Sequence, residues 1–380
     1  MISFANRIAN VEEYYFSKKL AEVRRLDTPD FPTINLGIGS PDQMPSANAI
    51  DALVQTARKP GSHGYQNYKG VPALRQAIAA FSERTYNTKL DPETMILPLM
   101  GSKEGIMHVM MAFVDEGDEV LIPDPGYPTY GSVAKLVGAK VRTYAMPVDI
   151  NDLRSKDLSK VKIMWVNFPH MPTGATASKE ELRQLVDLAR EKQFLIVNDN
   201  PYSLILNKDP QSILAVPNAF EVALELNSLS KSHNMAGWRI GWVAGRADYI
   251  DAVLRVKSNM DSGMFLGLQQ AAIEALGNDQ TWFESVNKVY ADRKVVAVQI
   301  LDELGCVYSK DQSGLFVWAR VSDQIADVEK WIDEILYGTK VFITPGFIFG
   351  ENGSRYIRIS LCAPVEKLKE ALQRIQKWNK

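Results

Sequence analysis

KIMWVNFPHMPTGATASKEELRQLVDLAREKQFLIVNDNPY, residues 162–202, decides the fold. It opens on a short apolar run and passes through a turn punctuated by proline and glycine. It continues as a helical stretch opened by Ser178, and a second apolar run, FLIVN, closes the unit. Short uninterrupted apolar runs on either side of an amphipathic segment read as strands buried on both faces, joined by a helix.

The alternation extends in both directions. Upstream, TMILPLMG (94–101), EVLIPDP (119–125) and KVRTYAM (140–146) read as strands, separated by the helical stretches SKEGIMHVMMAFVDE and TYGSVAKLVG. Downstream, EVALELNSL (221–229) and RIGWVAG (239–245) complete the series. This is an α/β domain with a mostly parallel central sheet, whose ligands belong outside the C-terminal ends of the strands. After about residue 265 the pattern loosens. A long helix over 281–304 leads to the strands LFVWARV, VFITPG and RYIRISL, with a helix in ADVEKWIDEILYG and a closing helix from Pro364. That part reads as a smaller α+β domain.

Composition narrows the function. The chain has 380 residues, 46% of them hydrophobic, and a net charge of −2, with a pI near 6.2. The balance offers no basic surface for nucleic acid, and 380 residues suit about two domains. Cys306 and Cys362 show neither a pairing pattern nor metal-ligand spacing, which suits a reducing compartment. MISFANRIANVEEYY lacks the apolar core of a secretory signal, and no uncharged apolar run reaches membrane-spanning length. The expectation is a cytoplasmic enzyme with no membrane or nucleic-acid partner.

The polar residues at strand ends form a consistent set. Asp199 follows FLIVN directly, where it can cap a turn or pair with a cation in a partly dry site. Tyr202 lies three residues on. Lys231 follows the next strand, in SLSKSHNMAGWRIGW (228–242). Desolvated and close to other cations, such a lysine has a lowered pKa and forms Schiff bases with aldehydes. Ser228, Ser230 and Arg239 bring two hydroxyls and a guanidinium suited to a phosphate. In MGSKEGI (100–106), Gly101 ends a strand, and Ser102 and Lys103 open a helix whose positive end favours the same anion. The GIG of 37–39 is too incomplete for a dinucleotide fingerprint. A lysine for an aldehyde, an aspartate for a cation and two phosphate-binding elements together describe pyridoxal 5′-phosphate, which has an aldehyde, a pyridinium nitrogen and a phosphate.

The chain resembles the fold-type-I pyridoxal-phosphate enzymes, specifically the class I/II aminotransferases. LGIGSPD (36–42), YQNYKGVPALR (65–75), MGSKEGI, PDPGYPTY (123–130), PTGA (172–175), NDNPY (198–202), SLSK…GWRIGW and RYIRISL (355–361) occur in family order. The likeness is to the broad-specificity and diaminopimelate-type subgroup more than to the animal aspartate enzymes. It implies an N-terminal arm and part of the small domain in 1–40, a large cofactor-binding domain in 41–265 and a small C-terminal domain in 266–380. It also implies a homodimer with shared active sites.

By that resemblance Lys231 is the Schiff-base lysine and catalytic base, and Asp199 pairs with the pyridine nitrogen. Tyr202 bonds the 3-hydroxyl, and Tyr127 stacks on the ring. Ser102, Lys103, Ser228, Ser230 and Arg239 hold the phosphate, with Tyr65 reaching it from the partner subunit. Arg358 clamps the substrate α-carboxylate with the Gly39 amide, and Tyr14 closes over the substrate. One position departs from the family. Met171 stands in NFPHMPTGA where an asparagine usually bonds the 3-oxygen. It either packs on the ring or leaves that bond to Asn167 or His170. The implied activity is ping-pong transamination between an L-amino acid and a 2-oxo acid, with a cystathionine β-lyase-like C–S lyase as the alternative. A DNA-binding regulator of the same fold is disfavoured by the charge and by an arm that begins by residue 14. Tyr14, Tyr15, Phe16, Phe347 and Phe349 are candidates for an apolar rim, or for core.

Overall fold

The computed structural model describes residues 2–9 and 15–379. Its large sheet has seven strands: β1 Ile96–Leu99, β2 Glu119–Asp124, β3 Lys140–Ala145, β4 Val161–Val166, β5 Leu195–Asp199, β6 Ala223–Ser228 and β7 Gly241–Gly245. They lie in the order β1-β7-β6-β5-β4-β2-β3. All neighbours are parallel except β7, which runs against both β1 and β6. The sheet is therefore the mostly parallel one expected.

The apolar runs are continuous because both faces are covered. In β4, Ile163 and Trp165 join the core on one face while Met164 and Val166 join the core on the other. That is the two-residue period of a strand. The helix Lys179–Lys192 between β4 and β5 opens with a capping box, Ser178 Oγ accepting from the Glu181 amide while the Glu181 carboxylate accepts from the Ser178 amide. Its Leu182, Leu185, Val186 and Ala189 are buried.

The smaller part holds an antiparallel sheet in which β8, Phe316–Arg320, pairs with β9, Tyr356–Ser360. VFITPG is not one strand. Val341–Phe342 pairs in parallel with Ile34–Asn35, while Thr344–Pro345 pairs with β9. GFIFG is a turn of 3₁₀ helix, Gly346–Phe349. Packing also shifts the expected boundary at 265. Ala271, Ala272, Ala275 and Leu276 of the helix Leu266–Leu276 belong to the core of the large domain. The long helix Gln280–Glu303, capped by Asp279, is the first element after them to join the small core, through Val286, Tyr290, Ala297 and Ile300. A division near 279 follows the burial. Among the described residues, no helix is long and apolar enough to cross a membrane.

Candidate active site

Strand ends assemble the site. β5 ends at Asp199, β6 at Ser228 and β1 at Leu99, and Gly241 of the reversed β7 pairs with both of the last two. Asp199, Ser228 and the pairings of Gly241 with Leu99 and Ser228 thus lie along one edge of the sheet.

Asp199 is buried, and the hydroxyl of Tyr130 donates to its Oδ2 at 2.8 Å. Its Oδ1 is buried with no partner among the described residues. Burial pushes its pKa up to about 6, against the pull of the Tyr130 bond. Tyr130 in turn stacks on Trp165, ring centroids 4.9 Å apart. The sequence reading missed Tyr130, although it closes the motif PDPGYPTY; its place one turn after Tyr127 on the same helix was the available signal. An unpartnered carboxylate oxygen in a dry pocket carries a high cost. It fits a protonated ring nitrogen.

Lys231 sits in the short helix Leu229–Ser232, whose first turn Ser228 caps by accepting from the Ser230 amide. Its Nζ donates to the Gly39 carbonyl at 2.5 Å. Burial lowers its pKa, and the Arg358 and Arg239 charges push the same way, opposed by Cys362. A lowered pKa makes the free amine, the nucleophilic form, more available.

The anion cradle is formed by three elements. Gly101 has φ +88°, and a Cβ there would stand 2.2 Å from Arg239 Nη2, so only glycine lets the guanidinium approach. The helix Ser102–Phe113 starts at that glycine, with Ser102 on its first turn and Lys103 exposed beside it. The Ser228 and Ser230 hydroxyls lie 2.9 Å apart, and Arg239 Nη1 reaches Ser230 Oγ at 3.5 Å. Two hydroxyls, a guanidinium and a helix start fit a phosphate.

Arg358, in β9, is 6% exposed. Phe316 and Phe349 lie against its guanidinium, ring centroids at 3.8 and 4.6 Å. Its Nη2 donates to the Gly37 carbonyl at 2.8 Å and its Nη1 to the Met171 sulfur at 3.2 Å, while Nε has no partner among the described residues. Burial lowers its pKa to about 10, so it stays charged at neutral pH. A Cβ on Gly39 would meet Phe316 at 2.3 Å.

Met171 therefore lies on the guanidinium. The Asn167 amide group donates to the Asp199 carbonyl and its Oδ1 accepts from the Met171 amide. His170 pairs with Thr173 Oγ1 at 2.8 Å, and burial lowers its pKa to about 3. Tyr202 packs edge-on to Phe316, and Tyr127 caps the helix that carries Tyr130. Tyr65 is 94% exposed on the 61–70 loop. Tyr14 lies outside the described residues. The aromatic rim separates into packing groups: Tyr15 pairs edge-on with Phe347, and Phe16 lies against Phe342 in a small core.

The family described as aminotransferase class I and II matches residues 32–375. The chain is 38% identical to the LL-diaminopimelate aminotransferase of Moorella thermoacetica, over 98% of this chain and 97% of that protein. It is 37% identical to the enzyme of the same name from Desulforudis audaxviator, with the same coverage. Among solved structures it superposes on substrate-bound BacF of Bacillus subtilis with a TM-score of 0.93 at 32% identity, over 100% of this chain and 98% of that one. It superposes on the aspartate aminotransferase of Thermus thermophilus with maleate with a TM-score of 0.92 at 26% identity, over the full length of both.

Proposed function

The chain belongs to the class I and II aminotransferases and is a pyridoxal-phosphate-dependent aminotransferase, and from that premise we propose that the edge from Leu99 to Gly241 is its cofactor site and Arg358 its carboxylate clamp. The observation that carries the reading is the buried, unpartnered Oδ1 of Asp199, at the sheet edge from which Lys231 rises.

The bound cofactor supplies an aldehyde for the amino group and a ring that withdraws electrons from the substrate Cα. Lys231, held at lowered pKa by burial, is the residue that would hold that aldehyde. Its amine, once the substrate amine has replaced it there, would be the base for the Cα proton, a role worth about 10²–10⁴ in rate. Asp199 would pair with the ring nitrogen and keep it protonated. Tyr202 would donate to the ring oxygen, and Tyr127 would cover the ring face. Ser102, Lys103, Ser228, Ser230 and Arg239 hold the phosphate, joined by Tyr65 from a second copy in a homodimer. Arg358 would present its unpartnered Nε, on the guanidinium edge it shares with Nη2, to the substrate carboxylate, a planar edge suited to bidentate contact. The relatives' activity supports LL-diaminopimelate as the amino donor.

The test is a half-reaction. Protein loaded with pyridoxal phosphate is mixed with LL-diaminopimelate, and separately with each common L-amino acid, without an acceptor. Stoichiometric oxo acid from diaminopimelate is expected. Pyruvate and ammonia released over many turnovers would indicate the C–S lyase instead.

A further inference from the structure

PDPGYPTY contains one charged residue that the proposed site does not use. Asp124 ends β2 and is only 8% exposed, yet its carboxylate serves the other domain. Oδ1 accepts the Asn352 backbone N–H at 3.1 Å. The Asn352 side-chain amide reaches back to the Asp124 carbonyl at 3.4 Å. Two residues on, the Gly126 N–H donates to the Phe349 carbonyl at 2.7 Å. Gly350 makes this approach possible: its φ is +137°, and a Cβ there would stand 2.0 Å from Asp124 Oδ1.

The two ends of this contact are parts of the site. Tyr127 follows Gly126 directly, and Phe349 is the ring lying against Arg358. Phe349 has Trp318 on another side, ring centroids 5.9 Å apart, so its backbone is the adjustable part of the bracket. We infer that Asp124 is a positioning residue for the substrate carboxylate: it latches the 349–352 segment of the small domain to the Tyr127 segment of the large one. The latch fixes the Phe349 face of the guanidinium relative to the cofactor face. This rests on the reading of Arg358 as the clamp.

Three variants test it. Asp124→Ala removes the acceptor, Asp124→Asn keeps an oxygen for the Asn352 amide, and Gly350→Ala pushes the segment away from an intact Asp124. In the protein without cofactor, amide exchange over 349–353 should quicken in Asp124→Ala and Gly350→Ala and stay slow in Asp124→Asn. In the loaded enzyme the first two should raise KM for the amino donor about ten-fold or more, with pyridoxal phosphate affinity unchanged and Asp124→Asn within about three-fold of wild type. Unchanged exchange and KM in both disruptive variants would overturn the latch. So would a loss in Asp124→Asn equal to that in Asp124→Ala, or a parallel loss of cofactor affinity. Arg358→Lys separates the two readings. If it leaves KM unmoved the clamp assignment fails, whereas a raised KM there with none in Asp124→Ala sinks the latch alone.

Discussion

Arg358 Nη1 donates to the thioether sulfur of Met171 at 3.2 Å. Sulfur is a weak acceptor, so among the described residues the guanidinium has one strong partner, the Gly37 carbonyl, and an Nε with none. A carboxylate arriving there displaces little. Met171→Asn places a strong acceptor beside the same nitrogen and competes with substrate. KM for the amino donor should rise several-fold. A shift in the pH at which the cofactor's absorbance changes, with KM unmoved, would put Met171 at the ring instead.

Lys231→Ala should abolish borohydride-stable attachment of pyridoxal phosphate while leaving the far-ultraviolet circular dichroism unchanged. Covalent attachment surviving in that variant would assign the Schiff base to another lysine.

Asp199 makes stability depend on pH in a defined direction. Its folded pKa, about 6, is above the ordinary 3.8, so its contribution is full below pH 4 and is lost as the pH rises through 6. In the cofactor-free protein the penalty at pH 7.5 is on the order of 3 kcal/mol. Asp199→Asn should therefore be the more stable protein at pH 7.5, with the two converging near pH 3.5 in urea titrations. The same variant should bind pyridoxal phosphate more weakly. A destabilised Asp199→Asn at pH 7.5 would mean that the carboxylate is satisfied in the protein alone.

Gly101→Ala sets a methyl against Arg239 Nη2 in a backbone region costly for alanine. Arg239 is exposed and can swing aside, so the loss should appear mainly as cofactor affinity. Calorimetry should show pyridoxal phosphate binding weakened about ten-fold or more. Unchanged affinity would remove this turn from the phosphate site.

Sharing of sites is checked by complementation. Lys231→Ala and Tyr65→Phe, each weak alone, should recover activity when refolded together, because one site of the hybrid then has both side chains. No recovery from a hybrid of proven composition would confine Tyr65 to its own subunit.

Strands buried on both faces were legible because their apolar runs are unbroken, as in FLIVN and KIMWV, and strand ends located Asp199 and Lys231. Short pairings were not. VFITPG divides between two sheets because Ile34–Asn35, three hundred residues away in the chain, claims its first half. The helix Leu266–Leu276 joins the large core through alanines at 271, 272 and 275, residues whose type does not say in the sequence which core they fill. Tyr130 and Asp124 were present in a quoted motif without a role. Their partners, Asp199 and Asn352, are distant in sequence, and only folding brings them into contact.

The reversed strand β7 has a consequence for how the site is maintained. A parallel crossover after β6 would carry the chain to the far rim of the sheet before it returned. The reversal instead makes the connection a single short excursion between Ser228 and Gly241, which pair directly, and both Lys231 and Arg239 lie on it. The separation between Lys231 and the Arg239 guanidinium is thus a local dimension, like the span of a clasp. Drift elsewhere in the sheet leaves that span alone, because both residues lie inside the one connection that the Ser228–Gly241 pair closes.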